Sequence, residues 1–227
     1  MTYEELTQRI QSGTPTHLSR WGDGEFLCIK NVNEPLDRQM NTDKHKYYKS
    51  LGQQLMMVLD GYEMNDDYYL AMQPKAYREI SDVREIWADR VDSTWPNADI
   101  LHNASIDGRL NEFISALENK SVIIVGPERL RKVNTIGVPY EQFVPIRDVN
   151  CWLDFDYVMK VLPTLISTDK VILYSASMMT NVLIDRMYRS NLLNFTQIDC
   201  GSVWEPYIGH SNRKYHQRIL DRINIKL

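Results

Sequence analysis

The residues with the clearest chemical potential are Arg20, Asp23 and Glu25, in the stretch RWGDGEF. Asp23 and Glu25 are two positions apart, so in an extended backbone their side chains point to the same side. Two adjacent carboxylates repel each other unless a cation lies between them, and Mg²⁺ or Mn²⁺ takes oxygen ligands of this kind. Gly22 and Gly24 allow a tight turn and the close approach of a bulky ligand. The pattern indicates a metal and phosphate site, although Asp-Gly is equally typical of a hairpin turn.

Alternating strand and helix patterns predict the elements that must position these residues. Two short apolar runs rich in β-branched residues, 121–126 and 170–176, predict strands that are buried on both faces of a sheet. The predicted strands cover residues 16–21, 68–73, 121–126, 143–146, 170–176 and 195–199. Strands that alternate with helices imply right-handed crossovers, so the expected fold is a doubly wound, mainly parallel α/β sheet of the Rossmann-like type.

Apolar residues at helical spacing predict the helices between the strands. Thr2 and Glu5 have the spacing of a capping box at the start of the first helix, and Pro74 is placed to open another. Pro163 is expected to kink or divide the helix that contains it. The other predicted helices cover residues 42–60, 106–117, 157–166 and 179–187.

Polar side chains follow three of the predicted strands where each strand ends. In parallel α/β sheets, ligands bind outside the carboxyl ends of the strands, where loops and helix N-termini converge. The sequence therefore predicts a ligand site at this edge, without identifying the ligand. The residues concerned are Glu128, Arg131, Ser175, Ser177 and Asp199.

The overall composition is that of a soluble globular protein. The chain has 227 residues, of which 43% are hydrophobic and 25% are charged, and this fits a single α/β domain over residues 1–227. A net charge of −4 provides no global basic field for nucleic acid. The three cysteines have no metal-binding or disulfide spacing, and neither a signal-peptide pattern nor a membrane-spanning run is present. A cytoplasmic location is therefore expected.

Several segments are similar, in the same order, to motifs of the GT-D-fold glycosyltransferases. RWGDGEF resembles the family's R-x-G-D-G-E signature. VIIVGPERLR resembles its strand followed by a Glu and an Arg, which puts Glu128 and Arg131 at the matching positions. VPIRDVNCWLDFDYV resembles its P-x-x-N-A-F-x-x-Y segment, with Asn150 and Trp152 at the Asn and aromatic positions. KVILYSASMMTNVLIDRMYR with QIDCGS resembles its final strand, helix and Asp-Ile-Gly-His end, where Asp199 is retained.

The chain also departs from the family pattern and resembles a distant member. The family's Gly-Pro-Thr is replaced by Ser175-Ala176-Ser177, and its final His is replaced by Ser202. Gly126-Pro127 stands where the family has Glu-Gly. Because of these differences, the identities of the sugar and of the acceptor are not carried over from the family.

The resemblance implies that Asp23 and Glu25 form a D-x-E motif that binds Mn²⁺ or Mg²⁺ and the diphosphate of a nucleotide sugar, in the first place a UDP-sugar. It implies metal-dependent transfer of the sugar to an acceptor hydroxyl. The metal and one or more arginines would neutralise the charge that develops on the leaving diphosphate. Arg20 and Arg131 are the candidate arginines, and a structural ion pair is the alternative for each; for Arg20 the expected partner is Glu25.

The resemblance also implies a wider set of donor contacts. The two serines of this set are expected at a helix N-terminus, where they would bond phosphate or act as ordinary caps. The Asn150 amide and the Trp152 indole are expected to hold the nucleobase of the donor. The alternative for Trp152 is a position in the hydrophobic core. The general base is expected among Glu128, Asp199 and Glu205, with Asp199 first. The donor-binding set consists of Arg20, Gly22, Gly24, Glu128, Arg131, Asn150, Trp152, Ser175 and Ser177.

Several functions remain compatible with the sequence. The acceptor is a glycan or glycoprotein, or else a hydroxymethylated base in DNA. The DNA alternative depends on two basic runs, residues 129–132 and 212–218, which more often form solvated helix faces. The acidic pair would also serve a metal-dependent nucleotide phosphohydrolase. Without turnover, the chain would be a non-catalytic nucleotide-binding protein.

Overall fold

The fold was established from a computed structural model, which describes residues 1–34, 36, 39–63, 65–88, 95–190, 194–211 and 213–225. The strands are β1 (His17–Trp21), β2 (Tyr68–Met72), β3 (Ser121–Pro127), β4 (Tyr140–Ile146), β5 (Lys170–Tyr174) and β6 (Thr196–Asp199). They form one sheet in the order β2-β1-β6-β5-β3-β4, and each neighbouring pair is parallel. The predicted α/β fold is confirmed.

Helices cover both faces of this sheet, and each face has its own hydrophobic core. The α-helices are α1 (Tyr3–Ser12), α2 (Asp23–Lys30), α3 (Lys49–Asp60), α4 (Pro74–Glu79), α5 (Ser81–Ala88), α6 (Ile100–Ile106), α7 (Leu110–Ala116), α8 (Phe155–Leu165), α9 (Met179–Arg189) and α10 (Lys214–Ile225). Short 3₁₀-helices cover Glu128–Ile136, Cys151–Asp154 and Glu205–Ile208. Because both faces are covered, the central strands need continuous apolar runs such as residues 122–125, which are almost completely buried.

The predicted helix over residues 42–60 is wrong in its first part, because α3 begins only at Lys49. Residues 40–46 instead form a hairpin, closed by an antiparallel bridge between Met40 and Lys46. The Asn41 side-chain oxygen accepts hydrogen bonds from the backbone N–H groups of residues 43 and 45 and so competes with a helix. Lys44 has a φ of 66°, which a right-handed helix does not allow.

The predicted helix over residues 106–117 begins too early, because α6 ends at Ile106 and α7 begins only at Leu110. Gly108 has a φ of 72°, and this left-handed residue separates α6 from α7. Pro163 does not divide α8, which continues to Leu165, and only two residues of the helix follow the proline. The capping box between Thr2 and Glu5 is confirmed, and Pro74 opens α4 as predicted.

None of the helices in the described part of the chain combines the length and the hydrophobicity that crossing a lipid bilayer requires.

Candidate functional site

An open cleft of about 950 Å³ runs along the carboxyl edge of the sheet. Ligand sites usually measure about 300–1,000 Å³, so this cleft has room for a large ligand. The loops after β1, β3, β5 and β6 line it, together with the first turn of α10 and the hairpin of residues 40–46. The predicted site residues that the cleft brings together are Arg20, Gly22, Asp23, Gly24, Glu25, Ser175, Ser177, Asp199 and Glu205.

The acidic pair lies on the first turn of α2. The interpretation of Asp23 and Glu25 as neighbours on an extended backbone is wrong, because the helix begins at Asp23 with Gly22 as its N-cap. Glu25 Oε2 accepts a hydrogen bond of 2.8 Å from the Gly22 N–H, which would otherwise have no partner at the helix start. Residues two apart on a helix point in nearly opposite directions around its axis. Both side chains nevertheless line the cleft.

Negative charge is concentrated around Glu25. Burial raises the pKa of Glu25 to about 7, and the neighbouring carboxylates of Asp199 and Asp23 act in the same direction. A cation among these three carboxylates would relieve their repulsion. Carboxylate oxygens also fit Mg²⁺ or Mn²⁺, which is commonly held by one or two carboxylates while water and substrate phosphates complete its shell. Within the described residues, no group of three or more His, Cys, Asp and Glu side chains forms a ready-made metal site.

Arg20 contacts residues 98–102 on one side and Asp199 on the other. Its Nε donates to the Ala98 carbonyl at 2.5 Å, and its Nη2 lies 3.0 Å from His102 Nδ1. Its ion-pair partners within the described residues are Asp199 at 3.9 Å and Asp99 at 3.8 Å, rather than the acidic pair of α2. The guanidinium is therefore held by contacts on several sides, and its side chain is largely buried.

His102 is a cleft residue that the sequence did not single out. Burial lowers the pKa of His102 to about 4, and the positive charge of Arg20 acts in the same direction, so the ring is neutral at physiological pH. In this state Nδ1 can accept a hydrogen bond from the Arg20 guanidinium. The ring packs against the Tyr215 ring of α10, with 4.6 Å between the ring centres. A lone histidine within a short helix carries no sequence signal, so only the tertiary contact reveals it.

Asp199 ends β6 and is almost completely buried. Its Oδ1 accepts a hydrogen bond of 2.9 Å from the Gly201 N–H. Burial raises the pKa of Asp199 to about 6, although the charge of Arg20 and the hydrogen bond from Gly201 oppose this. Gly201 has a φ of 53°, and a Cβ at this position would lie 2.1 Å from Arg20 Nη1. The left-handed backbone conformation favours glycine, and a larger residue would displace the guanidinium.

A second ion-pair network lines the cleft after β3. Arg129 Nη2 lies 2.6 Å from Glu205 Oε1, and its Nη1 pairs with Asp148. Glu205 is buried, and its other carboxylate oxygen has no hydrogen-bond partner within the described part of the chain. In the sequence, Arg129 is distinguished only as one member of the basic run of residues 129–132. In the structure it is the arginine that faces the cleft from the 3₁₀-helix.

Glu128 and Arg131 are not among the described residues that line the cleft. They pair with each other at 2.5 Å on the exposed side of the same 3₁₀-helix. In a 3₁₀-helix, residues three apart lie directly above one another, which favours this local pair. The Arg131 guanidinium also lies 4.4 Å from the centre of the Phe143 ring. The structure therefore gives Arg131 the salt bridge that was the alternative to its role as a donor contact.

Ser175 and Ser177 line the cleft, but neither is a helix N-cap. The expectation of two serines at a helix N-terminus is wrong, because α9 begins at Met179 with Met178 before it. Ser175 is the first residue after β5, and its N–H donates to the Val125 carbonyl at 2.9 Å. Ser177 has a φ of 49° and lies within 3.5 Å of the Asn41 side-chain nitrogen, on the hairpin of residues 40–46.

Asn150 and Trp152 lie beside the cleft lining and hold other parts of the chain. Asn150 Oδ1 accepts a hydrogen bond of 2.8 Å from the Lys46 N–H. The Trp152 indole N–H donates to Ser50 Oγ at 3.0 Å, and its ring packs on Phe155. These contacts join the segment after β4 to the hairpin of residues 40–46 and to the start of α3. Within the described residues, neither side chain reaches the cleft that contains the acidic pair.

No family model and no curated protein matches the chain. Its fold is similar to that of solved structures of the domain of unknown function 1792. A selenomethionine-substituted structure of that domain has a TM-score of 0.66 at 14% identity, covering 91% of this chain and 79% of that chain. A structure described as having a distinct glycosyltransferase fold has a TM-score of 0.62 at 15% identity, with the same coverage.

A third structure, described as a new glycosyltransferase (DUF1792) from Streptococcus sanguinis, has a TM-score of 0.66 at 11% identity and covers 93% of this chain and 85% of that chain. At these identities the similarity shows the fold alone. The chain therefore has an α/β fold of the kind described as a glycosyltransferase fold in that domain.

Proposed function

We propose that this protein is a metal-dependent glycosyltransferase that moves a sugar from a nucleoside-diphosphate sugar to an acceptor hydroxyl. The observation that carries the proposal is that Asp23, Glu25, Asp199 and Arg20 all line one open cleft at the carboxyl edge of the sheet, where Asp199 pairs with Arg20 and its charge acts on Glu25. Shared fold with a described glycosyltransferase supports the proposal. The resemblance of RWGDGEF to a D-x-E signature supports it independently.

In this proposal, Asp23 and Glu25 hold Mn²⁺ or Mg²⁺ together with the diphosphate of the donor. The bound ion would stabilise the negative charge of the leaving diphosphate. The first turn of α2 adds backbone N–H groups and the positive end of its dipole, both of which favour a phosphate at this place. Gly24 carries no side chain that would keep the phosphate away from this turn.

Arg20 and Asp199 are proposed to act on the reacting groups. Arg20 would place positive charge beside the diphosphate as the bond between the sugar and the phosphate oxygen breaks. Asp199 would accept the proton of the acceptor hydroxyl as its oxygen bonds to the sugar carbon. A general base works best with a pKa close to the ambient pH, and the pKa of Asp199 of about 6 approaches that condition.

The test is transfer from a mixture of nucleotide sugars, UDP-sugars included, with candidate acceptors and Mn²⁺, followed by mass spectrometry of the acceptors. We expect a mass increase of one sugar with the wild-type protein, and its loss on adding EDTA. D23N and E25Q should abolish transfer and weaken the Mn²⁺-dependent binding of UDP. E118Q, which removes an exposed carboxylate elsewhere on the surface, is the matched control and should leave both unchanged.

Two outcomes contradict the proposal. Release of phosphate from the nucleotide at the same rate with and without an acceptor indicates a phosphohydrolase that uses the same acidic pair. Unchanged metal-dependent UDP binding in D23N and E25Q removes the acidic pair from the site.

A further inference from the structure

The mouth of the cleft carries basic side chains that the proposed transfer step does not use. Lys214 and Arg218 are exposed, lie one turn apart on α10, and both line the cleft. Lys44 lies on the hairpin of residues 40–46, is also exposed, and also lines the cleft. Arg213 joins the hairpin to α10, because its Nη1 donates to Thr42 Oγ1 at 3.0 Å and its Nη2 pairs with Asp43. We call Lys44, Lys214 and Arg218 the mouth cations.

The mouth cations differ from the arginines deeper in the cleft in having no ion-pair partner within the described residues. Arg20 and Arg129 are each paired with two carboxylates. The Asp43 carboxylate on the hairpin is already paired with Arg213. The mouth therefore presents three exposed cations that form no ion pair within the described residues, on a protein with a net charge of −4.

The aromatic side chains of the cleft do not offer a stacking surface for a neutral sugar polymer. Trp21 is almost completely buried. The Tyr215 ring packs on His102, and its hydroxyl is hydrogen-bonded to Ser202 at 2.8 Å. The mouth thus offers charge rather than aromatic faces, which favours a partner that carries several negative charges.

We infer that the acceptor is a single-stranded nucleic acid, and that Lys44, Lys214 and Arg218 bind the phosphates of its backbone. The assignment of this strand as the acceptor rests on the proposed function. Successive phosphates give such a strand a negative charge at every nucleotide, which matches several cations on the hairpin and on α10. The cations fix the strand at the mouth, and a nucleotide held there can place a hydroxyl in the cleft beside Asp199. Contacts to phosphates position a strand without reading its sequence.

The inference makes a quantitative prediction about salt. For a single strand, the slope of log affinity against log salt is about −0.7 for each phosphate contact, so three contacts give a slope of about −2. Raising the salt from about 50 to about 200 mM should then weaken binding about 20-fold. In the double variant K214Q/R218Q, with one contact left, the same change should weaken binding only about threefold.

The experiment is fluorescence anisotropy of a short labelled single-stranded oligonucleotide, titrated with the wild-type protein, K214Q/R218Q and K132Q/K160Q. The last variant is the matched control, because it removes the same net charge from exposed lysines outside the described cleft lining. Binding of UDP with Mn²⁺ is measured by calorimetry on the same samples and should be equal in all three. That equality also shows that the variants are folded.

The inference is supported if K214Q/R218Q weakens oligonucleotide binding and flattens its salt dependence while the control does not. It is overturned if the wild-type protein does not bind the oligonucleotide, or if the two double variants behave alike. Failure of the proposed function gives a different result: the mouth cations still bind the strand, but UDP binding with Mn²⁺ and sugar transfer are absent from the wild-type protein. That result supports the anion site and refutes its assignment as the acceptor site.

Discussion

Changing Glu25 to Gln should stabilise the protein at alkaline pH more than at acidic pH. Burial and the neighbouring carboxylates raise the pKa of Glu25 from an ordinary value of 4.5 to about 7. The folded protein therefore binds this proton more tightly than the unfolded chain does, and stability falls as pH rises between these two values. Since one pKa unit corresponds to 1.36 kcal/mol, ionising Glu25 costs the folded protein about 3 kcal/mol above pH 7.

The assay is urea unfolding of the wild-type protein and E25Q in EDTA, at about pH 5 and about pH 8. At about pH 5 the cost is small because most folded molecules keep the proton. The change from wild type to E25Q in unfolding free energy should therefore become more favourable by about 2–3 kcal/mol between the two pH values. Any constant effect of the amide on packing cancels in this difference. E118Q is the control and should show no such pH dependence.

Adding Mn²⁺ tests the connection between this cost and the proposed site. An ion bound by Glu25 stabilises the carboxylate, so Mn²⁺ should stabilise the wild-type protein at about pH 8 and have a much smaller effect on E25Q. The reasoning is refuted if the E25Q difference is the same at both pH values, because Glu25 would then ionise as freely in the folded protein as in water.

Two glycine substitutions test the packing around the cleft. G201A should displace the Arg20 guanidinium, since the new Cβ would lie 2.1 Å from Nη1. UDP binding should then weaken at least about tenfold, as expected for the loss of a charged hydrogen bond. Unchanged UDP binding in calorimetry would show that Arg20 does not contact the nucleotide. G52A should lower the unfolding free energy by about 2–3 kcal/mol, because its Cβ would lie 2.3 Å from the Cys28 carbonyl oxygen where α2 packs on α3. M57A, on the exposed side of α3, is the control, and urea unfolding should place it within about 0.5 kcal/mol of wild type.

The strands were predictable from the sequence because burial on both faces requires a run of apolar residues. Residues 121–127 and 170–174 show such runs, and both became central strands. The first part of the predicted helix over residues 42–60 failed for a local reason: the Asn41 side chain bonds the backbone of the next residues and starts a hairpin. The helical spacing of apolar residues does not reveal a competing side-chain hydrogen bond of this kind.

The candidate site was predictable where its residues share one short stretch or directly follow a predicted strand, as Asp199 does. Arg20 and the acidic pair share one short stretch, so their meeting needed no tertiary information. His102 and Arg129 come from separate elements and reach the cleft through long-range packing. Asn150 shows the opposite error: it resembles a ligand contact by position, yet its side-chain oxygen bonds the Lys46 backbone. A sequence position does not state whether a polar atom is already satisfied within the fold.

The electrostatics of the acidic pair follow from the order of the strands. β1 and β6 are far apart in sequence but adjacent in the sheet, with Leu18 beside Ile198. This pairing brings the end of β6, with Asp199, next to the turn that leads from β1 into α2. Asp199 consequently raises the pKa of Glu25 and pairs with Arg20, although nothing local links these residues. The fold thus gathers like charges that destabilise the empty protein, and the binding of a cation and a diphosphate would offset that cost.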